Sequence, residues 1–109
     1  MAGLRERIIP WGGKDYACTP TMRILQRCEV RDFSLSRFLD KYGTGDPEIG
    51  MTCMLLSEVL TAAGANDATE EAIYDMLMSG KGWDDVVLPI VEALAPSVDP
   101  KKPDAQPAG

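Results

Sequence analysis

The chain contains no histidine. The side chain that most often serves as general base and metal ligand is therefore missing. Ser/His and Cys/His nucleophilic pairs cannot be assembled from it. Cysteine is scarce too: Cys18, Cys28 and Cys53 form no CxxC pair and are odd in number. That pattern fits buried thiols in a reduced compartment better than a disulfide framework. A membrane-length apolar run is also lacking. The longest stretch, around Met51 to Ala65, is broken by Thr52, Ser57, Glu58 and Thr61, whereas a span needs roughly 20 predominantly apolar residues. The opening Met-Ala-Gly-Leu-Arg-Glu-Arg has no apolar segment behind its charges, so no secretion signal is expected.

What is present suits one folded domain. A chain of 109 residues, 45% of them hydrophobic, can bury a core and is not of disordered composition. The net charge of −6 is unevenly spread. Residues 1–45 hold eight Lys/Arg and five Asp/Glu, whereas residues 46–95 hold one Lys and ten Asp/Glu. An acidic half of this kind repels phosphate backbones, which disfavours nucleic acid as a partner. It reads either as a solvated surface or as a steering patch for a basic partner segment.

The chain order predicts a mainly helical α+β fold. A short N-terminal β-hairpin over residues 5–19 turns at Gly12-Gly13, the pair that a tight primed turn favours. Pro10 cannot donate to a ladder, so this hairpin belongs at a sheet edge, with Trp11, Gly12, Gly13 and Tyr16 as its candidate contact residues. About five helices are expected to follow, over roughly 20–30, 34–42, 47–63, 69–79 and 83–95. Thr19-Pro20 reads as a cap and first helical position, Gly43 as a left-handed stop, and Asp46-Pro47-Glu48 as the clearest helix start. The helix from Pro47 to Ala63 is apolar nearly all round and is expected to be the central buried element, stopping at Gly64. Asp67 or Thr69 caps the next helix. Pro89 falls inside the last one and should kink it, at a cost of about 3 kcal/mol unless packing compensates. The domain is expected to end near residue 95, with a disordered Pro-rich tail over 96–109.

No enzyme is legible in these residues, and no cofactor or metal is implied. Gly12-Gly13-Lys14 resembles a phosphate loop only superficially, because Asp15 stands where Ser or Thr is required. Glu70-Glu71 and Asp84-Asp85 are adjacent on helices, so they do not face each other, and both suit helix first turns. Asp40 to Glu48 lacks the register of a calcium loop. The methionines carry two readings. Met51, Met54, Met76 and Met78, with Leu55 and Trp83, could line an adaptable groove for a partner helix, or they could fill a core.

The ordered series resembles a family. A hairpin around Gly-Gly-Lys leads to Thr-Pro-Thr-Met, an Arg-Phe-Leu helix, and a long apolar helix closing on Ala-Ala-Gly. Thr-Glu-Glu, a small apolar helix and Val-Val-Leu-Pro-Ile-Val-Glu-Ala-Leu complete it. Over about residues 5 to 95 this is similar to phage tail assembly chaperones of the gene-transfer-agent type. Gly12, Gly13, Leu60, Ala63, Gly64, Thr69, Glu70 and Glu71 match best, whereas Pro10-Trp11 and Cys18 depart from the pattern. The resemblance implies a non-enzymatic factor of the host cytoplasm that coats the tape measure protein, yields it to tail tube protein, and self-associates along it. It implies absence from the finished virion. A structural tail or head–tail joining component, and a small acidic regulatory binding protein, are the alternatives that the residues leave open.

Overall fold

In the computed structural model, residues 6–94 are described. The expectations for Arg5, Ala95 and the Pro-rich tail lie outside those residues. Strands β1 (Arg7–Trp11) and β2 (Lys14–Cys18) pair antiparallel, with Ile9 opposite Tyr16 and Arg7 opposite Cys18. Gly12 and Gly13 carry φ of +58° and +84°, the left-handed pair that a two-residue primed turn requires. Such a turn makes Trp11 and Lys14 the first hydrogen-bonded pair, so Pro10 and Asp15 form the next, non-bonded one. The missing N–H of Pro10 therefore points outward, where the ladder does not need it.

Behind the hairpin come α1 (Met22–Glu29), α2 (Leu35–Gly43), α3 (Ile49–Ala62) and α4 (Glu70–Met78). A π-helical turn (Trp83–Val87) then runs into α5 (Leu88–Leu94). Helix α3 is central. It packs on α1, α4, β2 and the π turn, and buries Met51, Cys53, Leu55, Leu56, Val59 and Leu60. Thr52 is also buried there, and its hydroxyl donates to the Glu48 carbonyl at 2.8 Å. The hairpin, only marginal by itself, lays β1 against α5 and the π turn, and Ile9 and Cys18 are fully buried.

Several helix ends differ from expectation. Thr21, not Thr19, caps α1, accepting from the Ile24 N–H at 3.3 Å, while Pro20 is buried one residue before. Gly43 lies within α2, and Gly45 is the left-handed residue (φ +83°). The Gly45 N–H bonds the Tyr42 carbonyl and the Asp46 N–H bonds that of Lys41, a Schellman closure. Because the backbone of Asp46 still terminates α2 in this way, Asp46 does not cap α3. Glu48 takes the cap position without a side-chain bond. Thr69 caps α4, accepting from Ala72 at 3.1 Å.

The expected single helix over 83–95 is divided. The N–H groups of Val87 and Leu88 reach five residues back, to the carbonyls of Gly82 and Trp83. Pro89 has no N–H for the Asp85 carbonyl, and its ring would strike that carbonyl in a regular α-turn. Widening the preceding turn relieves the clash, and this is the form that the kink takes.

Candidate functional site

Two stretches distant in sequence, residues 10–13 and 67–86, converge on one open groove of about 530 Å³. The hairpin turn contributes Trp11, Gly12 and Gly13; the loop between α3 and α4 contributes Asp67; helix α4 contributes Met76; the link and π turn contribute Lys81, Asp85 and Val86. The indole N–H of Trp11 donates to Asp67 Oδ1 at 3.1 Å, which seats the hairpin turn at one wall. The Asp67 loop is itself anchored, since the Ser57 hydroxyl donates to the Ala68 carbonyl at 2.8 Å. Gly82 (φ +86°) makes room for Met76, because a Cβ there would lie 2.4 Å from the methionine Cε. The wall is mainly apolar, with three charged groups at its rim.

The candidates read from the sequence divide. Trp11, Gly12, Gly13 and Met76 meet in the groove. Tyr16 does not join them: it stands opposite Ile9 on the inward face of the hairpin and is half-buried. Leu55 is 0% and Met51 7% exposed, so both are core residues that offer no surface in this structure. The helix is apolar on nearly every side, and neighbours on several sides cover it. Met54 is half-buried beside Met51, in a cleft also lined by Arg31 and Glu48. Met78 is 57% exposed on the outer face of α4, one turn from Tyr74, away from the groove. Trp83 is half-buried and donates its indole N–H to the Leu77 carbonyl at 3.2 Å, closing the α4–π link. No single groove contains all of the expected residues.

Sequence reasoning missed Asp67, Lys81, Asp85 and Val86 as groove residues. Asp67 had read as an alternative cap and Asp85 as a dipole partner, and both readings are local.

Ion pairing explains much of the uneven charge. Arg27 and Arg31 pair with Glu58, Arg31 with Glu70, and Arg37 with Glu48 at 2.6 Å. Lys41 lies 3.8 Å from Asp46, and Arg7 lies 4.0 Å from Glu92. Basic residues of the first half thus neutralise five of the ten acids in residues 46–95. Among the described residues Asp67, Glu71, Asp75, Asp84 and Asp85 form no ion pair. They sit on the loop before α4, on α4 and on the π turn, and two of them rim the groove.

Cys18, Cys28 and Cys53 are free and buried. Burial pushes each thiol up to about 11, which suppresses the thiolate needed for reactivity. Among the described residues no His/Cys/Asp/Glu cluster is placed to hold a metal ion, and no helix is long and apolar enough to cross a membrane.

Comparison with known proteins finds no matching family model, curated protein or solved structure.

Proposed function

We propose that this protein is a phage tail assembly chaperone of the host cytoplasm. It binds the long, helical tape measure protein, keeps it soluble, and yields it as tail tube protein polymerises. The observation that supports this reading is the open groove, where the half-buried Trp11 and Met76 offer an apolar wall between the hairpin turn and α4. An amphipathic helix withdraws its apolar stripe from water by lying in such a groove, and a thioether adapts to varied side chains. Many copies of modest affinity along one tape measure give tight holding overall, yet leave each contact easy to displace. The outward edge of β2, which carries no proline, suits copy-to-copy contact along the same client.

Co-expression with the tape measure protein of the same tail gene cluster tests the proposal. Soluble, co-purifying tape measure is expected. An insoluble tape measure that leaves this protein unbound would refute it. Stoichiometric presence in purified particles would favour the structural-component alternative instead.

A further inference from the structure

We infer that the groove selects a basic amphipathic helix, one that carries Lys or Arg within a turn of the apolar side chain it inserts. This deepens the chaperone proposal and rests on the groove being its docking site. The apolar wall of Trp11 and Met76 receives the anchor, and the charges around it choose the flank. Asp85 makes no ion pair or side-chain hydrogen bond among the described residues. Asp67 uses only Oδ1, for the Trp11 indole, which leaves Oδ2 beside the turn at Gly12. Lys81 offsets one of these two carboxylates. The groove lining thus carries two carboxylates against one ammonium. An acidic flank on the incoming helix would meet like charge, and a basic flank would meet its complement.

Two fluorescein-labelled synthetic helices, each roughly 18 residues long, test this against the full chain. They share one leucine stripe and differ only in flanking residues, Lys in one and Glu in the other. Anisotropy should show the Lys helix binding roughly ten-fold more tightly, as expected for two rim ion pairs. The preference should shrink at about 0.5 M salt. Asp85→Lys should abolish or reverse it, and Lys81→Gln should enlarge it. Circular dichroism confirms that both surface variants are folded. Equal binding of the two helices, or a preference untouched by Asp85→Lys, overturns the inference while leaving the groove as a docking site. Binding that survives Met76→Asp overturns the groove itself, and failure of both helices to bind overturns both.

Discussion

The Trp11 indole N–H donates to the Asp67 carboxylate across 56 residues of sequence, at 3.1 Å. It joins the hairpin turn to the loop that leads into α4, and so holds two walls of the groove at a fixed separation. A two-stranded hairpin has little stability of its own. Its position on the helices depends on contacts such as this one, together with the buried Ile9 and Cys18.

Trp11→Phe keeps the ring and removes the donor, and Asp67→Ala removes the acceptor. Each should lower stability by about 1 kcal/mol, and the double variant should fall short of the sum by roughly 0.5–1 kcal/mol. Urea unfolding of the four proteins measures the coupling. Strictly additive losses would show that the bond contributes nothing.

Leu55 and Met78 separate core from surface. Leu55→Ala should cost about 2–5 kcal/mol through the cavity that it leaves in α3. Met78→Ala, on an exposed position, should stay within roughly 0.5 kcal/mol of the parent protein. Equal losses at the two positions would contradict the packing described for α3.

The three thiols predict a pH dependence. Each is raised by burial from its ordinary 9.0 to about 11, with Glu6 adding to the effect at Cys18 and Glu58 at Cys28. The folded chain therefore holds these protons to higher pH than the unfolded chain does. Stability from this source is complete below 9.0 and is lost as pH rises through about 11. Tyr42, raised by burial and by the charges of Asp84 and Glu92, acts in the same direction. Urea midpoints should be level up to about pH 8 and then decline. At that pH a thiol reagent should modify the native protein far more slowly than the unfolded one; a fast native reaction would show that the thiols are open to solvent.

Arg31 bridges Glu58 on α3 and Glu70 on α4 from a side chain that is 44% exposed. Arg31→Met should cost about 1 kcal/mol at low ionic strength, because exposed pairs are weak and screened. The loss should fade toward about 1 M salt, where the Debye length is roughly 3 Å. A loss that does not change with salt would assign the effect to packing of the arginine stem instead.

Much of the fold was legible because its signals are local. Gly12-Gly13 specified the hairpin turn, Gly64 ended the central helix, and the apolar circumference of α3 required burial on several sides. Capping was legible in kind but not always in place. Asp46 looked like the best helix start in the chain, yet its N–H is committed to closing α2. Two helix ends competed for one residue, and proximity in three dimensions chose between them.

The candidate site was far less legible. Met76 and Trp11 were singled out for separate reasons, but nothing local brings them together. Leu55 and Met51 carry the same apolar chemistry as a docking residue, and only their neighbours make them core. The sequence by itself determined the fold class, the order of elements and the absence of histidine chemistry, since these depend on residue type and on spacing along the chain. Tertiary structure alone decided which acids are cancelled by arginines, which methionines face solvent, and that Asp67, Asp85 and Trp11 rim one groove. Those outcomes depend on long-range packing, in which each helix is placed by surfaces that lie elsewhere in the chain.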